Sequence, residues 1–237
     1  MTGRALIWVA PLALAACAGP LSTLDPGGHI ARDIALLWWV MLAGAGVITA
    51  FVLVLLGFAW GAPRRTAQGR WVYGLGLWFP LAVLTALLGV GLWVGERILP
   101  RDDGAVTVHA HAFQWGWQFT HDGADGQPVE SDGVLHIPAG QPVDILVSSQ
   151  DVIHSFWVPR LGGKMDAIPG RVNRLRVQTD GAGRFDGLCA EFCGLGHAGM
   201  RFVVVAHDDW PPADPDTDPD TGPDTTPETD TNGQEFP

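Results

Sequence analysis

Two long stretches without a charged residue decide what this chain can become. Residues 34–60 and residues 71–94 hold no Asp, Glu, Lys or Arg. An α-helix needs about 20 apolar residues to cross roughly 30 Å of hydrocarbon. A helix also closes its backbone hydrogen bonds within itself, as lipid requires. Both runs are therefore predicted to be transmembrane helices, together a hairpin. Trp38, Trp39, Trp60, Trp71 and Trp93 stand near their ends, where indole rings favour the membrane–water boundary. Pro80 interrupts the second run and predicts a kink.

The connector, residues 61–70, carries Arg64, Arg65 and Arg70 and no acid. Basic connectors stay on the cytoplasmic side, so both flanks of the hairpin are expected outside. The start of the chain agrees. Arg4 precedes an apolar stretch over residues 5–16 that is too short for a span and ends in Leu14-Ala15-Ala16-Cys17. This pattern reads as a lipoprotein signal peptide over 1–16, with Cys17 as the lipidated residue. Residues 17–33 then form an outward segment, and membrane lipid is a partner.

Beyond residue 101 the pattern changes to short runs punctuated by Gly and Pro. Strands are predicted at 105–111, 113–119, 134–137, 143–148, 172–177 and 202–205, with His154 opening another. Many short strands with turn signals predict a β-sandwich or barrel over 101–207. The fold class is thus a membrane-anchored α+β chain. Residues 208–237 are mostly Pro, Asp and Thr, with too little apolar surface to offset ordering entropy, and are expected to be disordered. Ten of the 25 acidic residues lie there, so the net charge of −11 is mainly a property of the tail. No nucleic-acid partner is expected.

The chemistry gathers in Cys189-Ala-Glu-Phe-Cys193-Gly-Leu-Gly-His197-Ala-Gly-Met200. Thiolate, imidazole and thioether form a soft donor set suited to copper. A single blue copper takes one Cys, two His and a weak Met, whereas two thiolates can bridge two metals. His154 is the best second imidazole. Zinc would accept two Cys and two His but leaves Met200 unexplained. A disulfide between Cys189 and Cys193 leaves both His197 and Met200 unexplained.

These motifs, with His154-Ser-Phe-Trp-Val-Pro159 and Lys164-Met-Asp-Ala-Ile-Pro-Gly-Arg171, resemble subunit II of the haem-copper cytochrome c oxidases. The resemblance runs from the first span to about Val205. It implies a cupredoxin-like domain carrying a binuclear copper centre, CuA. Cys189 and Cys193 would bridge two copper ions, and His154 and His197 would each terminate one. Met200 would be the weak ligand of one copper and the Glu191 carbonyl that of the other. The Glu191 side chain would reach a magnesium or manganese ion at the boundary with subunit I. Trp115, in Gln114-Trp115-Gly116-Trp117, would admit the electron from cytochrome c. Trp117 reads better as a core aromatic. Asp151 matches an acid of the docking face.

The implied partners are subunit I, subunit III and cytochrome c, in a bacterial inner membrane with the copper domain in the periplasm. Three positions depart from the family pattern: Gly116 where Tyr is common, Gln150 where an acid is common, and Tyr73 where many members carry Glu. The chain has no Cys-x-x-Cys-His, so the electron donor is expected to be a separate protein. The rival readings are a CuA subunit of a nitric oxide reductase and a copper-delivery lipoprotein. Quinol oxidase subunits share the fold but typically lack the copper ligands.

Overall fold

The computed structural model describes residues 18–61, 68–101 and 103–212. The expected signal peptide, the lipidated Cys17, Arg64 and Arg65 of the connector, and the tail after residue 212 lie outside the described residues.

Helix α1 is His29–Ala59, and the second helix, α2, runs over Trp71–Ile98. A soluble helix buries one apolar stripe, but α1 buries only Ile30, Ala31 and Ala35, all in its first turns. The rest of its apolar surface faces outward, which suits lipid as the solvent. The kink expected at Pro80 takes the form of a widened turn. Trp71–Trp78 is π-helical, and the Phe79 N–H donates to the Gly74 carbonyl, five residues back. Proline has no N–H to give and its ring crowds the preceding turn, so a wide turn just before it removes the clash. The two helices meet through Phe51 and Phe79, with ring centroids 5.9 Å apart. At their ends away from the connector, Arg97 pairs with Asp33 at 3.2 Å.

Among the described residues ten strands follow, in two five-stranded sheets. The first sheet has the order β3-β2-β1-β5-β8. Its strands are β1 Val106–Phe113, β2 Gly116–Asp122, β3 Pro128–Asp132, β5 Val143–Ser149 and β8 Asn173–Val177. The second has the order β4-β10-β9-β6-β7. It is built from β4 Val134–Pro138, β6 His154–Trp157, β7 Met165–Ala167, β9 Gly183–Cys189 and β10 Arg201–His207.

Side chains alternate across a strand, so Val108, Ala110 and Ala112 of β1 and Val143, Ile145 and Val147 of β5 point between the sheets and are buried. Trp117, Phe119, Phe156 and Phe202 fill the middle, with centroids 4.6–6.4 Å apart. A Cβ on Gly187 would come within 2.2 Å of the Phe202 ring, so the ring lies flat on β9 only because that residue is glycine.

The expected strand 113–119 is a correction. The chain reverses at Gln114–Trp115, between β1 and β2. Hairpin pairing of Phe113 with Gly116 sets this register. It sends Trp117 into the core, 1% exposed, and leaves Trp115 at the tip, 45% exposed. Strands β3, β7 and β9 carry weaker sequence signals and were not among the expected ones.

Two clamps fix the β domain to the hairpin. Before α1, the Gly27 N–H donates to the Arg160 carbonyl (2.7 Å), and the Asp180 N–H donates to the Gly27 carbonyl (2.9 Å). Arg160 pairs with Asp25 at 3.3 Å, and Arg32 pairs with Asp180. After α2, Arg176 forks onto Asp103 (2.7 and 2.8 Å) while also holding the buried Asp144 (2.8 and 2.9 Å).

Candidate metal centre

The centre is assembled at one end of the second sheet. His154 opens β6, Cys189 closes β9, and Met200 immediately precedes β10. Strands β6 and β9 are paired, with Phe156 opposite Cys189. The Cys189 N–H donates to the Met200 carbonyl (3.0 Å) and the Ala190 N–H to the Ser155 carbonyl (2.9 Å). The loop of residues 190–199 is therefore pinned at its root by sheet hydrogen bonds. It then tightens through turn bonds from the His197, Gly199 and Met200 N–H groups to Gly194, Gly196 and His197. Gly194 sits at φ +121°, a region open chiefly to glycine.

The donor atoms converge. Cys189 Sγ lies 3.8 Å from Cys193 Sγ and 3.8 Å from His154 Nδ1. Cys193 Sγ lies 3.7 Å from His197 Nδ1 and 3.7 Å from Met200 Sδ. The Glu191 carbonyl is 3.2 Å from Cys189 Sγ. Donors sharing one ion at about 2.0–2.3 Å from it stand about this far apart. His154 is fully buried, and Cys189, Cys193 and Met200 are at most 4% exposed. His197 is half-buried. Both cysteines are free thiols, so the disulfide alternative does not describe this structure. Burial and the neighbouring Cys189 push the Cys193 thiol up to about 11.

Asp151 has a place that its sequence position did not reveal. Its Oδ1 accepts a hydrogen bond from His154 Nε2 at 2.9 Å and another from the Val152 N–H at 2.6 Å. Its Oδ2 accepts one from the Gln114 N–H at 2.7 Å. Burial works to raise this carboxyl, but these donors outweigh it and hold it below the usual carboxylate range. A carboxylate at Nε2 keeps the proton there and frees the Nδ1 lone pair for a metal. The acid expected on a docking face is thus the hydrogen-bond partner of the buried His154 imidazole.

Trp115 lies on the ligand loop. Its Nε1 donates to the Cys193 carbonyl at 3.2 Å. A Cβ on Gly196 would fall 2.5 Å from the ring, so glycine is what lets the indole approach. Gln114 Nε2 donates to the same carbonyl at 2.8 Å, a contact that no sequence pattern signals. The Glu191 side chain is exposed and faces Lys164 Nζ at 3.8 Å.

A soft-donor metal centre on a membrane-anchored β-sandwich is the class of protein that this fold and site define. The family described as "Cytochrome C oxidase subunit II, periplasmic domain" matches residues 122–207. "Heme-copper oxidase subunit 2" of Aeropyrum pernix is 32% identical over 203 residues, 73% of this chain and 85% of that protein. "Cytochrome c oxidase subunit 2" of Alkalihalophilus pseudofirmus is 40% identical over 113 residues, 46% of this chain. The match spans 32% of the length of that relative. Among solved structures, the periplasmic domain of subunit II of cytochrome oxidase (CoxB) of Bradyrhizobium japonicum is 30% identical, over 47% of this chain and 89% of that one, with a TM-score of 0.42. The chain belongs to the subunit II family of the heme-copper oxidases.

Proposed function

We propose that the chain is the electron-accepting subunit of a respiratory cytochrome c oxidase. The observation that carries this reading is the pair of thiols 3.8 Å apart, each with an imidazole nitrogen beside it. Cys189, Cys193, His154, His197, Met200 and the Glu191 carbonyl would hold two copper ions, which would supply a one-electron relay between cytochrome c and the haem-bearing subunit I.

The residues of the chain do the rest. The two sulfurs, 3.8 Å apart, would be shared between the two coppers, which suits a relay that keeps its geometry when its charge changes. Met200 Sδ, a weak donor, tunes the centre more than it holds it. The buried Trp117, Phe156 and Phe202 exclude water behind it. Trp115 is an exposed aromatic hydrogen-bonded to the Cys193 carbonyl, and it admits the electron. Asp151 and other acids of the domain steer a cationic donor. The Glu191 carboxylate, exposed beside Lys164, would face a magnesium or manganese ion at the boundary with subunit I. Subunit III completes the complex.

The topology follows from the same reading. The chain sits in a bacterial inner membrane with lipid on Cys17, the 61–70 connector in the cytoplasm and the copper domain and tail outside. A cysteine introduced into the connector should resist labelling from outside intact cells; efficient labelling would overturn the orientation.

The copper assignment is tested on the full chain loaded with copper. Two coppers per chain and intense visible absorption are expected, and Cys193→Ser should abolish both. One copper, or tight zinc without colour, would sink the reading.

A further inference from the structure

We infer that Gln114 is a positioning residue for the metal centre, holding the Cys193 carbonyl in place for both Trp115 and the ligand loop. The inference rests on the copper reading above. Gln114 offers no donor atom to the ligand set, yet it joins two members of it, His154 and Cys193. Its backbone N–H donates to Asp151 Oδ2 (2.7 Å), and its side-chain Nε2 donates to the Cys193 carbonyl (2.8 Å). The other Asp151 oxygen takes the His154 Nε2 proton (2.9 Å).

An unbroken run of hydrogen bonds thus leads from the imidazole beside one thiol to the backbone of the other. It passes through Asp151 and Gln114 and includes no ligand–ligand contact. The segments it joins are distant in sequence. Gln114 and Asp151 are 37 residues apart, and Gln114 and Cys193 are 79 apart.

The Cys193 carbonyl accepts two N–H groups, from Gln114 at 2.8 Å and from the Trp115 indole at 3.2 Å. The Gln114 bond is the shorter. It fixes the plane of the peptide that carries Cys193, and so the direction of a sulfur with three donor neighbours. It also keeps the oxygen within reach of the indole, so that one hydrogen bond connects the exposed ring to the backbone of a ligand. Without the amide, the carbonyl is free to turn and both effects weaken. The loop leaves little room for compensation, because a Cβ on Gly194 would already lie 3.3 Å from Gln114 Nε2.

The test uses the copper-loaded full chain and two substitutions. Gln114→Met keeps the length and loses the donor. Gln114→Lys keeps a nitrogen donor of similar reach, and its added charge is screened at high salt. The backbone bond to Asp151 survives in both. Gln114→Met is expected to bind cytochrome c as the parent does, to show a displaced visible and paramagnetic spectrum, and to be reduced about tenfold more slowly, the scale of one lost hydrogen bond. Gln114→Lys should return the spectrum and the high-salt rate toward the parent. Copper loss in the Met variant that the Lys variant restores would support the same role. Copper loss that Lys does not restore would mean a turn-forming role only and would overturn the inference, as would parent-like spectra and rates in both variants. If the parent itself holds fewer than two coppers, the copper reading falls and takes this inference with it. If the parent holds two and the variants match it, the Gln114 role alone falls.

Discussion

Asp151 Oδ1 stands 2.9 Å from His154 Nε2, and this one hydrogen bond ties the acid to a buried imidazole of the metal centre. His154 is fully buried while the Asp151 side chain is 30% exposed. The carboxylate therefore faces the metal centre on one side and the solvent on the other. Removing such an orienting partner weakens metal affinity by about 10–100-fold in other sites. Asp151→Ala should lose copper to a competing chelator correspondingly sooner. It should also weaken cytochrome c association in a way that fades as salt rises, since exposed charges are screened over about 8 Å at physiological ionic strength. Chelator competition and salt-dependent binding separate the two tasks. A variant that holds copper like the parent would leave Asp151 as a docking residue alone.

Trp115 makes a different prediction. Its ring touches the ligand loop but donates only one hydrogen bond there. Trp115→Gln should slow reduction of the centre severely in stopped-flow experiments and leave cytochrome c binding nearly intact. A chain truncated after Trp210 removes the acidic tail as a competing attractor. Reduction at the parent rate in that background would show that the electron arrives elsewhere.

At the far end of the sandwich, His136 Nδ1 and His207 Nε2 lie 2.9 Å apart, and the rings of His121 and His136 are 5.9 Å apart. All three histidines are buried, and Trp210 packs on His121 with a centroid distance of 5.2 Å. Burial first, and the charge of His207 second, hold His121 below the usual imidazole range. The unfolded chain takes up its proton near pH 6.5 while the folded chain resists, so the stability is present above about pH 6.5 and is lost as pH falls below it. His121→Phe should therefore flatten the fall in Tm between about pH 7.5 and pH 5.5. An unchanged slope would assign the pH dependence to other groups.

The Asp144–Arg176 pair acts in a lower pH window. Burial works to raise Asp144, but Arg176 and Arg174 outweigh it, and the carboxyl is held below the usual carboxylate range. Its contribution is present above about pH 4 and is lost as pH falls through the depressed value. Arg176→Met leaves the Asp144 carboxylate, 6% exposed, with Arg174 alone at 2.7 Å and should cost about 1–3 kcal/mol. It should also release the 101–103 linker from the first sheet. Denaturant unfolding and proteolysis at that linker measure the two effects, and a cost under about 1 kcal/mol would contradict the clamp.

The sequence by itself determined the membrane hairpin and most of the ligand set, because both are local. An uncharged run long enough to cross lipid can only become a helix there, and the Cys-x3-Cys-x3-His-x2-Met spacing folds onto one loop. Most of the strands were legible for the same reason, as alternating apolar residues between turn signals. Only the tertiary structure decided what surrounds the metal centre. Asp151 behind His154, Gln114 and Trp115 on the Cys193 carbonyl, and Arg176 between the linker and Asp144 join segments that share no pattern in the sequence. The hairpin register at Gln114–Trp115 sends one tryptophan into the core and its near neighbour to the surface, and that choice comes from cross-strand pairing, which composition does not encode. Contacts of this kind are fixed by packing two sheets against each other, so they exist only once the whole domain has closed.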